Sequence, residues 1–362
     1  MNIKSLAGSA IRPLIVSHQK KRYRSNLKTY EEALNVKAVL SSEEITAAKE
    51  AGLNKDYLPY LKFYKSVTGN FDLNFIPCWL YAILEQSLNH RRFEGFAQHK
   101  CNLHYFIPVE HRAKTLAYSI DGVLYDSENR IITRSEFMRI LQNEREFVFK
   151  IATGTGGGKG VKKIHTESLE SMAIVTDALD KRYNDFICQD IIRQSDFMSS
   201  LSGGSVNTIR MLTLNLNGCF SLLSAFLRMG TPGSFTDNLC SGGTLCGIDE
   251  EGCFSDFGYT HSFDVTTVSP SGKVLKGLRI PDFDKLTAFC EKMSYNFQQM
   301  HLIGWDIAIR EDWEPVVIEV NLDSAELPPH QMFNGPVFGD RTEEVLEYYK
   351  SHKPFYSLKV PY

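Results

Sequence analysis

The sequence predicts an α+β chain with a mainly helical N-terminal region, on three observations. Residues 1 to about 110 carry helix signals and aromatic residues without strand alternation. Residues 115–190 hold short β-type runs around one helical pattern. Beyond residue 207, two long β-type runs are joined by Asn217-Gly218, a strong two-residue hairpin signal, and a second strand pair follows near residue 305. The order is not the regular strand–helix alternation of a doubly wound sheet.

At 362 residues the chain is long enough for two or three packed units, and 43% hydrophobic with 23% charged residues excludes disorder and fibres. A formal charge of -3 provides no global field for nucleic acid. Eight cysteines are scattered without a CxxC pair, against a zinc site or disulfide framework and in keeping with reduced thiols in a cytoplasm. The longest apolar run, Phe75 to Leu84, is far shorter than the ~20 residues a spanning helix needs. Ser5 to Val16 is interrupted by Arg12 and Pro13 and reads as no signal peptide.

Ser41 and Glu44 form a capping box ahead of a short helix ending near Gly52. Gly122–Tyr125 and Arg130–Thr133 read as β-type runs, and Phe147–Lys150 as a strand opening into a glycine-rich loop. Thr166 can cap a helix with apolar residues Leu169, Ala173, Thr176 and Leu179, before a strand at Phe186–Cys188. Asn207–Leu216 and Cys219–Met229 form the Asn-Gly hairpin. Leu286, Phe289, Met293, Phe297 and Met300 mark an amphipathic helix, and Trp305–Arg310 with Val316–Asn321 a last hairpin. These breaks divide the chain into 1–110, 111–190 and 191–362.

The loop Gly154-Thr155-Gly156-Gly157-Gly158-Lys159-Gly160 offers unobstructed backbone N–H groups for phosphate. It is not a Walker A loop, because Thr153 stands where the first glycine belongs and Gly160 follows Lys159 in place of Ser or Thr. It also lacks the dinucleotide fingerprint. The plainer alternative is a surface turn with one exposed lysine. Lys150, on the strand before the loop, favours the phosphate reading, since a lysine facing inward needs an anionic partner.

With residues 311–314 as the loop of the last hairpin, Asp306 lies opposite Glu319, and Asn321 shares their face. Two carboxylates so placed repel each other, a costly arrangement among Ile and Val unless a cation sits between them. Hard oxygen ligands favour magnesium. The alternative is one protonated or solvent-facing carboxylate.

The ordered set comprises Lys150, the lysine-bearing glycine loop, a strand ending Gln189-Asp190, then Ser205–Arg210, Arg228-Met229-Gly230 and Asp237-Asn238 with Gly242-Gly243. Gly304-Trp305-Asp306 and Glu319-Val320-Asn321 complete it. Together these residues resemble the ATP-grasp enzymes, in particular the sugar-transfer-associated branch, from about Lys150 to Pro336. The resemblance implies the ATP-grasp fold, two α+β subdomains holding ATP between them, with 111–190 as the small and 191–362 as the large subdomain. It implies that Lys150 and Lys159 contact phosphates covered by Gly156, Gly157 and Gly158, and that Gln189, Asp190, Ile191 and Ile192 line the adenine hinge. Asp306, Glu319 and Asn321 would bind Mg2+, with Mn2+ as an alternative ion. Ser195 and Ser269 stand where that branch usually has histidine.

Arg210 and Arg228 are the resemblance's candidates for the transferred phosphoryl group, with Asn238 orienting phosphate or acceptor. A regular hairpin about Asn217-Gly218 pairs Arg210 with Ala225 and Arg228 with Asn207, on opposite faces. They can share a site only if a β-bulge intervenes between Ala225 and Arg228. Asp237-Asn238 can equally be turn chemistry. The basic run Lys20 to Arg24 reads as a solvated helix face, with a membrane-surface or anionic-substrate role as the alternative. Phe75, Trp79, Tyr81, Phe93 and Phe96 read as core, and His104 and His261 have no matching partner.

The expected activity is ATP-dependent activation of a carboxylate as an acyl phosphate, followed by attack of an amine. One partner would be a small-molecule or saccharide carboxylate, such as a sugar acid or an amino-acid decoration in surface polysaccharide biosynthesis; neither nucleic acid nor a membrane span is expected. The alternatives are a kinase acting on a hydroxyl and a nucleotide-binding module without turnover.

Overall fold

The computed structural model of the chain describes residues 3–154, 158, 160–181, 185–237, 242–323 and 325–352, with side chains from residue 16 onward. Gly156, Gly157, Lys159 and Asn238 lie outside the described residues. No described helix is long and apolar enough to cross a membrane.

The N-terminal region is five helices: α1 (Ile3–Ala33), α2 (Ser42–Glu50), α3 (Leu58–Thr68), α4 (Cys78–Leu88) and α5 (Arg91–Ala97), followed by a 3-10 turn at Lys100–Tyr105. Ser41 and Glu44 close the capping box of α2. Gly69 ends α3 at φ 77°, a left-handed cap that glycine adopts without side-chain conflict. Pro77 precedes α4, whose residues Trp79 to Glu85 are all buried. Phe75, Trp79 and Tyr81 are core as expected, whereas Phe93 and Phe96 are 45% and 52% exposed. Those two lie on the outward side of the short helix α5, whose buried residues are Glu94 and Ala97.

A five-stranded antiparallel sheet follows, in the order β2-β1-β5-β3-β4. Its strands are β1 (Thr115–Ile120), β2 (Val123–Asp126), β3 (Glu146–Ile151), β4 (Val161–His165) and β5 (Phe186–Gln189). Helices α6 (Arg134–Gln142) and α7 (Leu169–Asp180) cover one face through Phe137, Phe147, Phe149 and Val175. Two boundaries differ from the sequence expectation. Arg130–Thr133 is not a strand, because Thr133 and Glu136 form the capping box of α6. Ser168, not Thr166, caps α7, while the Thr166 hydroxyl donates to the Glu144 carbonyl.

The second sheet has seven strands in the order β10-β9-β8-β7-β6-β11-β12. These are β6 (Thr208–Leu216), β7 (Cys219–Met229), β8 (Thr244–Ile248), β9 (Phe254–Thr260), β10 (Val265–Thr266), β11 (Leu302–Ile309) and β12 (Pro315–Asn321). α8 (Asp196–Ser202) and α9 (Phe283–Ser294) pack on one face with Met211, Cys290, Met293 and Trp305. Phe297 and Met300 fall beyond the end of α9 but join the same core. The other face carries Leu212, Leu214 and Leu302, against which the N-terminal helices and α10 (Leu327–Asn334) pack; α11 (Thr342–Ser351) follows. α10 sits close to β8, since a Cβ at Gly247 would come within 2.7 Å of the Phe333 Cβ.

Two irregularities set which side chains reach the cleft. Asn217 and Gly218 both have positive φ, the primed turn a tight hairpin needs, and Leu216 pairs with Cys219. A bulge at Leu223 then shifts the register, so that Arg210 pairs with Phe226 and Thr208 with Arg228. The bulge falls before Ala225 rather than between Ala225 and Arg228, yet it has the required effect: both arginines share one face. In the last hairpin, Ile309 faces Pro315, making the loop one residue longer than expected. A second irregularity at Ile318 restores the pairing of Asp306 with Glu319.

Candidate active site

Adjacent strands β7, β6, β11 and β12 place Arg228, Arg210, Asp306 and Glu319 on the same face of the large sheet. Asp306 is almost fully buried at their centre. Arg210 Nε donates to Asp306 Oδ1 at 2.5 Å and Arg210 Nη2 to Oδ2 at 3.1 Å, a forked pair. Arg228 Nη1 donates to Asp306 Oδ2 at 3.3 Å, and its Nη2 to Glu326 Oε2 at 2.6 Å. Burial works to raise the Asp306 pKa, but the two guanidiniums outweigh it and hold the carboxyl well below the usual carboxylate range. Arg210 Nη1 is buried with no hydrogen-bond partner among the described residues; Glu326 Oε2 is 3.9 Å away. An unmatched guanidinium N–H of this kind suits an anionic oxygen.

Glu319 is engaged from the opposite side. Lys100 Nζ, in the 3-10 turn before β1, lies 3.2 Å from Glu319 Oε2. Lys150 on β3 is buried, and burial pushes its ammonium down to about 8, with Glu319 raising it and Lys100 lowering it. Lys150 shares its sheet face with Gln189, since it pairs with Ile187 and Val148 pairs with Gln189. The repulsion expected between Asp306 and Glu319 is therefore offset by the protein's own cations, two arginines on one carboxylate and a lysine on the other.

Asp306, Glu319 and Asn321 still fit a magnesium ion by their chemistry. They supply two carboxylates and an amide oxygen, all hard donors, and Mg2+ commonly takes only one or two carboxylates besides phosphate oxygens. Asn321 Nδ2 donates to the Gly304 carbonyl at 3.4 Å, which turns its Oδ1 away from that strand. Among the described residues no three His, Cys, Asp or Glu side chains form a ready ion cage. An ion here would therefore draw further ligands from the oxygens of a bound phosphate.

Further out, Asp237 is buried, and burial pushes its carboxyl up to about 6 against the lowering effect of Arg228 and of the Thr208 hydroxyl, which donates to it. His330 on α10 is fully buried, with Nδ1 2.9 Å from the Ser224 hydroxyl, and burial keeps its imidazole neutral. At the end of β5, Asp190 N–H donates to the Lys114 carbonyl and Gln189 Nε2 to the Ala113 carbonyl. Asp190, Ile191 and Ile192 line a cleft of about 350 Å³ with Ala113, Arg112 and Val316. Val316 pairs with Ala308, on the same strand face as Asp306, while Lys150, Arg210, Asp306 and Glu319 lie outside the lining of this cleft. Ser195 caps α8 and Ser269 closes a turn on Lys273. Sequence reasoning missed Lys100 and Glu326; neither sits in a recognisable motif, and only the fold brings them to the cleft.

A small sheet carrying Lys150 and a large sheet carrying the arginine–carboxylate cluster agree with the ATP-grasp class, which the family comparison shows. The profile of the family described as sugar-transfer associated ATP-grasp matches residues 119–347, more than half of the chain, and the chain belongs to that family. No curated protein matches it at a significant level of sequence similarity. Among solved structures, it is similar to D-alanyl-alanine synthetase A from Vibrio cholerae at 13% identity and a TM-score of 0.42, over 71% of this chain and 65% of that one. It is also similar to VanG D-Ala:D-Ser ligase from Enterococcus faecalis at 10% identity and a TM-score of 0.43, over 70% and 62%. The ATP-grasp ligase PsnB matches at 11% identity and a TM-score of 0.41, over 72% and 64%. The chain thus spans less than two thirds of the length of each of these proteins.

Proposed function

We propose that this protein is an ATP-dependent ligase that activates a carboxylate as an acyl phosphate and joins it to an amine, on a sugar acid or an amino-acid decoration of surface polysaccharide. Family membership and one observation support this reading: Arg210 and Arg228 converge beside the Asp306–Glu319 pair with a buried guanidinium N–H left unmatched.

The substrate carboxylate oxygen attacks the terminal phosphorus of ATP and ADP leaves with the bridging electron pair. The amine then attacks the acyl carbon, phosphate leaves with the C–O electrons, and the amine nitrogen gives up its proton. Positioning and fixed charge supply the catalysis. Lys150 and Lys100 hold the nucleotide phosphates from the small-sheet side. Arg210 and Arg228 hold the transferred phosphoryl group, and Gln189, Asp190, Ile191 and Ile192 border the base. Lys159 and Asn238 keep the roles the resemblance gives them. Asp306, Glu319 and Asn321 would hold magnesium, which when bound neutralises phosphate charge.

Incubating the protein with ATP, magnesium, hydroxylamine and a panel of sugar acids and amino acids tests the reading. The expected result is hydroxamate with one carboxylate class, together with ADP release, both lost in Glu319→Gln. ADP release with a phosphate ester and no hydroxamate would identify a kinase instead. Turnover that survives Glu319→Gln would refute the site.

A further inference from the structure

A second site lies in the helical N-terminal region, independent of the catalytic reading. Between α1 and the segment running from the end of α1 into α3, the molecule has a groove of about 500 Å³. Its floor is apolar, built from Leu27 on α1, Leu40, Ile45 on α2 and Leu58 at the start of α3. Its rim is cationic. Arg24 and Lys28 stand on α1 three residues before and one after Leu27, on one helical face, and Lys55 and Lys62 stand across the groove. Among the described residues that line it, Glu31 is the single acidic one.

What sets this rim apart is convergence: four cations border one apolar groove. Lys20 and Lys65, outside the rim, are paired: Lys20 Nζ lies 2.5 Å from Asp56 and Lys65 Nζ 2.7 Å from Glu44. Among the described residues, Arg24, Lys28, Lys55 and Lys62 have no carboxylate within ion-pair distance. α3 also begins at the groove without a side-chain cap, so the positive end of an eleven-residue helix adds to the same field. A concave apolar floor of this volume under converging like charges fits one molecule that has a hydrocarbon body and an anionic end.

We propose that this groove binds a single-chain amphiphile carrying a phosphate head, the chain lying on Leu27, Leu40, Ile45 and Leu58 and the phosphate held by Arg24, Lys28, Lys55 and Lys62. Charge complementarity selects the head, and the concave floor selects one chain over a flat bilayer face. The basic stretch at Lys20 to Arg24 is thereby divided, with Lys20 structural and Arg24 recruited to the rim.

The probe is dodecyl phosphate below its micelle concentration, titrated calorimetrically into the full chain. Controls are inorganic phosphate, octyl phosphate, dodecyl maltoside and dodecyltrimethylammonium. Dodecyl phosphate is expected to bind at least tenfold more tightly than each control and to weaken at least tenfold in a triple variant Arg24→Ser, Lys28→Ser, Lys62→Ser. Because these side chains are on the surface, unchanged melting of the triple variant checks the fold, and ADP release should be unaltered. Equal binding of the cationic or neutral detergent would reduce the groove to a non-specific apolar patch and overturn the proposal. So would affinity unaffected by the triple variant, or binding seen only with phosphatidylserine vesicles and not with the monomer, which would indicate a membrane-facing surface.

Discussion

Nucleotide binding is expected to take up a proton, and Lys150 is the group that accepts it. Burial pushes this ammonium down to about 8 in the free protein. About half of the molecules then carry a neutral Lys150 at pH 8 and about nine in ten at pH 9. A polyphosphate beside it restores the charge, so uptake should be roughly 0.5 proton at pH 8 and roughly 0.9 at pH 9 if the bound value returns to the ordinary lysine range. Affinity should correspondingly fall about tenfold per pH unit above 8. Titrating a non-hydrolysable ATP analogue calorimetrically in two buffers of different ionisation enthalpy measures the uptake. Zero uptake at pH 9, or equal uptake in Lys150→Met, would refute the reasoning. Stability must move the other way. The folded value lies below the unfolded one, so between about pH 8 and pH 10.5 the unfolded chain binds more protons and the free protein gains stability as pH rises. At pH 7 the buried charge costs about 3 kcal/mol, and Lys150→Met should recover much of it as a raised melting temperature while abolishing nucleotide binding.

Arg210→Ala should destabilise the protein by about 3–5 kcal/mol, because Asp306 is left buried with only Arg228 to neutralise it. Adding Asp306→Asn to that variant should return part of the loss, read as urea midpoints of the two variants. Deleting Leu223 removes the bulge and should abolish ATP turnover, whether Arg228 turns to the opposite sheet face or the hairpin frays; circular dichroism and ADP release together distinguish the two outcomes. Gly247→Ala should cost about 1–3 kcal/mol through conflict with Phe333, seen as a lower melting temperature.

The helical N-terminal region, the Asn-Gly hairpin and the last strand pair are written in local patterns and were legible. Parity was harder. Nothing in Cys219–Met229 marks Leu223 as the unpaired residue, so a regular hairpin puts Arg210 and Arg228 on opposite faces when in fact both reach Asp306. The Asp306–Glu319 pairing was read correctly through two offsetting differences, a loop one residue longer and an irregularity at Ile318. Phe93 and Phe96 look like core by composition but lie on the outward side of a helix too short to show a period. Gly156, Gly157 and Lys159 of the glycine-rich run, and Asn238, fall outside the described residues.

Two consecutive residues reach in opposite directions. His99 Nε2 lies 3.0 Å from Asp185, just ahead of β5 in the small sheet, while Lys100 Nζ lies 3.2 Å from Glu319 in the large one. A single peptide link therefore spans the gap like a clasp. Any rocking of one half against the other to admit or release a ligand must stretch or surrender one of these grips. The turn that ends the helical region is thereby tied to both sheets at once.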